Sequence, residues 1–140
     1  MSAGKESRES LKVVLDTNVI VSALMSPLGN PAKILELFFD EKLHAYYSGD
    51  ILAEYEDVLS RPALKIEPQK KRVFFEVIRE IGILTEPTAS TMKLPDESDR
   101  VFYDTAKTSG SILITGNIKH YPLEKFIITP SQFLEKFTTC

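Results

Sequence analysis

At 140 residues the chain fits one domain of ordinary size. With 43% hydrophobic and 26% charged residues it is expected to bury a single core, which excludes a disordered chain. Its 17 Lys and Arg against 20 Asp and Glu give a formal charge of −3, so the surface is not basic throughout, although a local basic patch stays open.

Cys140 is the single cysteine, so neither an intramolecular disulfide nor a thiolate metal cluster can form, and a reducing, cytoplasmic setting is expected. No run approaches the roughly 20 apolar residues of a membrane span, so no membrane partner is expected. Residues 1–10 are polar, mixed in charge and free of any apolar signal-type segment; they are expected to be a flexible tail before one domain over 11–140.

Val13-Val14-Leu15, closed by Asp16, is the β-branched run of a strand buried on both faces. Apolar periodicity over 19–25 predicts a helix, with Thr17 and Asn18 at its start. Asn30-Pro31 marks the next helix, Asn as cap and Pro where its missing N–H does no harm, with Ile34, Leu35 and Phe38 on one face. A strand over 45–47 leads to Ser48, a cap for the helix carrying Ile51, Tyr55, Val58 and Leu59, which Arg61-Pro62 ends. Pro68 opens a helix whose inner stripe is Val73, Phe74, Val77, Ile78 and Ile81, followed by Gly82. A third strand is expected over 83–86, a loop over 87–95, and a helix over 97–109 with Gly110 as C-cap. Strands over 111–115 and 126–129 and a closing helix over 130–137 complete the chain. Alternating strands and helices imply crossovers, so the fold class is α/β with a mainly parallel sheet and helices on both faces.

An open parallel sheet places its site beyond the carboxyl ends of its strands, where strand order reverses. Asp16 stands at such an end; as a lone acid it serves equally well as a helix cap. Asp99 borders the stripe of Val101, Phe102, Thr105 and Ala106 and so faces the sheet edge, although a helix N-terminus favours a carboxylate there in any case. Asp96, three residues earlier, suits an N-cap as well as it suits a metal. Asp104 falls on the outer face, as a surface partner of Arg100. In the helix after Ser48, Glu54 and Glu56 flank the apolar stripe equally; Glu54 is nearer the beginning, hence nearer the carboxyl edge, and is preferred.

Asp16, Glu54 and Asp99, with Asp96 as a fourth, are thus expected to meet at one edge. Gathered carboxylates repel and raise each other's pKa, and a hard cation with oxygen ligands, Mg²⁺ or Mn²⁺, stabilises them. His44 and His120 lie far apart in the chain, which argues against zinc. Acids holding such an ion suit phosphodiester hydrolysis. Thr115, Gly116 and Asn117 at a strand end add small polar groups for a phosphate or a metal-bound water, and Thr17 or Asn18 can orient Asp16 or bond the backbone. Lys119 and His120 are the substrate-binding candidates. Lys70-Lys71-Arg72, with Lys65 upstream, reads first as a solvated helix face. Tyr121 can stack on a base or pack beneath the last strand.

Taken in order, these segments resemble a PIN domain, and within that family the VapC-like toxin components of prokaryotic toxin–antitoxin pairs. The similarity runs from about Lys12 to Phe137: Val-Leu-Asp16-Thr17-Asn18, the Glu54 helix, Leu94-Pro-Asp96-Glu-Ser-Asp99, Ile112-Leu-Ile-Thr115-Gly116-Asn117 and Thr129-Pro-Ser-Gln-Phe133. The resemblance implies a three-layer α/β/α fold with a five-stranded parallel sheet of order 3-2-1-4-5. It also implies Mg²⁺- or Mn²⁺-dependent cleavage of single-stranded RNA with Asp16, Glu54 and Asp99 as catalytic acids, homodimers, and inhibition by an antitoxin protein. Asn117 departs from the pattern, standing where many members carry a fourth Asp, and so puts a second metal in doubt.

Two rival readings remain. A phosphoacceptor domain or phosphatase fits poorly, since Asn18 replaces the second acid of Asp-x-Asp and the last strand runs into Thr129-Pro130 without a Lys. A PIN-fold RNA-binding or regulatory module with a weakened site is the stronger alternative. Nothing resembles a Gly-rich phosphate loop or a Gly-x-Ser-x-Gly elbow.

Overall fold

A computed structural model describes residues 11–138; the expected tail over 1–10 and Cys140 lie outside them. Three short strands make the centre: β1 (Lys12–Leu15), β2 (His44–Tyr47) and β4 (Ile112–Ile114), with β3 (Ile83–Leu84) and β5 (Ile127–Ile128) at the edges. The order is β3-β2-β1-β4-β5 and every pairing is parallel, as expected. β1 is central because Val13 and Val14 have no exposed area and Leu15 almost none, a demand only the middle of a covered sheet meets.

The helices are α1 (Thr17–Met25), α2 (Asn30–Phe39), α3 (Gly49–Leu59), α4 (Pro68–Ile81), α5 (Arg100–Ser109) and α6 (Pro130–Thr138). Ser48 caps α3 by accepting from the Ile51 N–H at 3.1 Å. Gly110 ends α5 in the left-handed region at φ 68°, where a side chain would be strained. Gly29, not Asn30, holds the cap position of α2, placing Pro31 second in the helix. The helix expected over 97–109 starts as a 3₁₀ turn, Glu97–Asp99, and becomes α-helical only at Arg100. Among the described residues no helix is long and apolar enough to cross a membrane.

Tyr55, Phe74 and Phe102 join α3, α4 and α5, with Tyr55 ring centroids 5.6 Å from Phe74 and 6.4 Å from Phe102. Tyr55 also donates its hydroxyl to the Leu15 carbonyl at 2.5 Å, tying this cluster to the end of β1. Beyond α4 the chain turns at Gly82. A Cβ there would collide with the Ile78 carbonyl and come within 2.9 Å of both Ile78 Cγ1 and Tyr47 Cε1. Gly82→Ala is therefore expected to lower stability by about 2 kcal/mol, read as a reduced urea midpoint at unchanged slope.

Asp104 corrects the outer-face expectation. It is 5% exposed, its Oδ2 accepts from the Ser90 N–H at 3.3 Å, and its Oδ1 lies 3.8 Å from Arg100 Nη1. The loop before α5 folds back over this flank, so helical periodicity alone mistook a covered side for an open one. Arg100 pins that loop, donating to Ser90 O and Oγ at 2.9 Å and to Met92 O at 2.6 Å, while its Nε meets Glu97 Oε1 at 2.6 Å.

Candidate functional site

β1 leaves the sheet toward β2 on one side, and β4 returns on its other side, so strand order reverses between them. The chain segments that follow β1 and β4 therefore diverge beyond the paired strand ends, and a cleft of about 420 Å³ opens there. Asp16 follows β1 directly and Thr115 follows β4; the Asp16 N–H donates to Ile114 O at 3.0 Å, locking the two ends together. Asn18 Oδ1 accepts from the Gly116 N–H at 3.0 Å and so bridges the same ends.

Asp16 occupies the backbone cap position of α1, yet its side chain makes no cap hydrogen bond. Its Oδ2 instead accepts from Thr115 Oγ1 and from the Tyr121 hydroxyl, both at 2.8 Å. Asp16 is 6% exposed, and the two hydroxyls orient its carboxylate. Thr115, fully buried, also accepts from the Asn117 N–H at 3.0 Å, so its hydroxyl is engaged by Asp16 and by the backbone of its own turn. Thr17 does neither job foreseen for it. Its Oγ1 is buried with no hydrogen-bond partner.

Asp96 caps the 3₁₀ turn, its Oδ1 accepting from Ser98 N–H at 3.0 Å and Ser98 Oγ at 2.8 Å, which hold its carboxyl below the usual range. Asp99 is the last residue of that turn and the cap position of α5. Burial first, then the charges of Asp16 and Asp96, push its pKa up to about 6, against an opposing pull from His120. Its buried Oδ2 makes no hydrogen bond; His120 Nδ1 stands 3.4 Å away, an ion-pair distance only. Asp96, Asp99 and His120 each offer a ligand atom within 4.8 Å of the others. His120, expected to be an isolated imidazole, is thus brought beside two acids by the 3₁₀ turn Ile118–His120.

The cleft is lined by Asp16, Asp96 and Asp99, by Thr17, Asn18, Asn117 and His120, and by a wall of Val58, Arg61 and Leu64. Glu54 and Lys119 are exposed and are not among the lining residues. Of the two acids weighed on α3, Glu56 is engaged by Arg79 at 2.6 Å, whereas Glu54 lies one helical turn before the lining residue Val58. The helix flank was legible; arrival of its acid in the cleft is not seen.

Tyr121, expected either to stack on a base or to pack beneath the last strand, is packed inside, and its bond to Asp16 is the part sequence reasoning missed. It is 5% exposed, so it is not a base-stacking surface, and burial followed by the nearby Asp16 and Asp99 charges raises its pKa, keeping the phenol a donor. No local pattern marks it, because its partner is Asp16, at the other end of the chain. Tyr121→Phe should weaken divalent-metal affinity about 10- to 100-fold in calorimetry while leaving the fold intact, the usual effect of removing a group that orients a ligand.

These donors fit a hard divalent cation. Three carboxylates come from two elements, one of them has a buried oxygen without a donor, and its proton is held too tightly for an ordinary surface acid. An uncharacterized protein of Methanocaldococcus jannaschii, MJ1680, is 30% identical to this chain over 148 residues, covering 95% of this chain and 96% of that protein. The fold is similar to the crystal structure of PAE2754 from Pyrobaculum aerophilum, with a TM-score of 0.57 and 14% identity over 94% of this chain and 92% of that one. A model of the PIN domain matches residues 12–119, which contain every acid of the cleft, and the chain therefore belongs to the PIN domain family.

Proposed function

We propose that the chain is a divalent-metal-dependent endoribonuclease acting on single-stranded RNA. PIN domains are generally of nuclease fold, and the observation that carries the finer reading is Asp99. A carboxyl kept near pKa 6 by burial and by two neighbouring acids, with a buried oxygen that makes no hydrogen bond and meets only His120 at ion-pair distance, is a group waiting for a cation.

Asp16, Asp99 and Asp96 would hold Mg²⁺ or Mn²⁺, while Glu54 on α3 stands outside the cleft lining. When bound, the cation acidifies a coordinated water and offsets the charge that builds on the phosphoryl group. The protein's own work is placement. Thr115 and Tyr121 fix Asp16, the Arg100-pinned loop fixes Asp96 and Asp99, and His120 stands at the rim as a proton donor or a phosphate contact. Asn117 offers an amide where an acid would hold a second ion, which supports a single metal.

Purified protein is expected to cleave single-stranded RNA with Mn²⁺ or Mg²⁺ and to leave it intact in EDTA. RNA bound but uncut under both conditions would establish the regulatory-module reading, which Asn117 and the outlying Glu54 favour. The resemblance extends the proposal to the toxin of a toxin–antitoxin pair, acting in the cytoplasm as a homodimer. Growth arrest on expression, relieved by a co-expressed small partner protein, tests that part.

A further inference from the structure

The cleft wall opposite the acids does not stop at the cleft. Leu64, in the 3₁₀ turn Pro62–Leu64, also lines a neighbouring groove of about 410 Å³ together with Leu24, Met25, Lys65, Glu67 and Lys70. Arg61 is on the cleft side of this ridge, and Lys65 and Lys70 are on the groove side. Lys65 adopts a left-handed backbone at φ 55°, uncommon for a residue with a Cβ, at the turn that separates the two hollows. Lys70 reaches back to the last turn of α1, donating to Leu24 O at 3.4 Å, which uses one of its three protons. Arg72, in the same basic run, is occupied on the outer face by Gln69 at 2.7 Å and Glu76 at 3.9 Å. The solvated-face reading thus holds for Arg72 but not for Lys70.

A polyanion entering a cleft of three carboxylates needs compensating charge close by, and the chain's net charge of −3 supplies none at long range. Arg61 meets part of that need. Its 3.0 Å pair with Asp57 is exposed on both sides and so costs little to loosen. Beyond it, cations alternate with apolar surface, Met25 being half exposed, which matches a single strand presenting phosphates and unpaired bases to the same surface. Glu67 is the one acid in the groove.

We propose that Arg61, Lys65 and Lys70 form a track for single-stranded RNA, carrying the phosphates beside the scissile one out of the acidic cleft and over Leu64; this rests on the nuclease reading above. The test is fluorescence anisotropy of a labelled single-stranded oligoribonucleotide in EDTA, over a range of salt. Lys65→Glu/Lys70→Glu is expected to weaken binding about tenfold and to flatten the slope of log K against log salt by about 1.4, two contacts at about 0.7 each. Lys33→Glu/Lys42→Glu makes the same change in net charge at exposed sites elsewhere and should leave affinity unchanged. Equal loss in both double variants, or no loss in either, overturns the track. So does a change of oligomeric state on size exclusion, which would give the groove to a second copy of the chain. Should loss of the Lys70 bond unfold the protein, Lys65→Gln alone keeps the test readable, with a slope change of about 0.7. Wild type that cuts RNA with Mn²⁺ but is indifferent to charge reversal refutes the track alone. Wild type that neither binds nor cuts RNA refutes the nuclease reading with it.

Discussion

Asp16→Asn is expected to lower metal-dependent RNA cleavage by at least about 100-fold while leaving the fold in place, measured as kcat/KM in Mn²⁺ beside a thermal melt. The asymmetry follows from what Asp16 does. The amide oxygen of Asn can accept from both Thr115 and Tyr121, so the buried hydroxyls keep their partner. Only the negative charge is lost, and with it the attraction for the cation. Asp16→Ala should behave differently, stranding two buried hydroxyls and costing on the order of 2–5 kcal/mol of stability as well as activity. If Asp16→Asn cleaves RNA as the wild type does, Asp16 is a structural acid and the proposed centre is misplaced.

Asp99→Asn should lose metal binding yet make the metal-free protein more stable at neutral pH. The folded state raises the Asp99 pKa from its ordinary 3.8 to about 6, so it binds a proton that the unfolded chain releases. The contribution of this group to stability is fully present below about pH 4, declines as pH rises, and is gone above about pH 6. At pH 7 the folded protein carries the penalty of an ionised, half-buried acid beside Asp16 and Asp96. Removing that penalty is worth about 1–2 kcal/mol after allowance for partial exposure, or about 3–8 °C in Tm. Calorimetry against Mn²⁺ supplies the opposite sign: wild-type affinity should climb through pH 6 as Asp99 ionises, and the variant should show no such rise. A variant less stable than wild type at pH 7 would mean that Asp99 is a structural cap and not a strained ligand.

The fold was legible because its signals are local. Val13-Val14-Leu15 has the composition of a strand covered on both faces, Ser48 and Gly110 have the chemistry of a helix start and stop, and Pro68 sits where a helix can bear it. Asp16 and Asp99 were legible for a related reason. Each ends or begins such an element at the carboxyl edge of β1 and β4, where the chain leaves the two strands in opposite directions, so topology brings them together. The burial of Asp104 and the bond of Tyr121 to Asp16 were not, because each depends on where an irregular segment is placed, which no periodicity reports: the Arg100-pinned loop that covers Asp104, and the turn after β4 that carries Tyr121 to Asp16. Glu54 shows the limit between the two kinds of information, since its flank of α3 follows from spacing but its distance from the cleft does not.

By itself, then, the amino-acid order determined the parallel α/β sheet and the edge where the acids gather, because backbone preferences and burial periods act within a few residues. Only the tertiary structure decided that two hydroxyls, Thr115 and Tyr121, hold Asp16, that His120 stands beside Asp99, and that Lys65 and Lys70 share a groove with the cleft wall. Those relations join residues far apart in the chain, and a hydrogen bond or an electrostatic field depends on distance in space and not on separation in sequence.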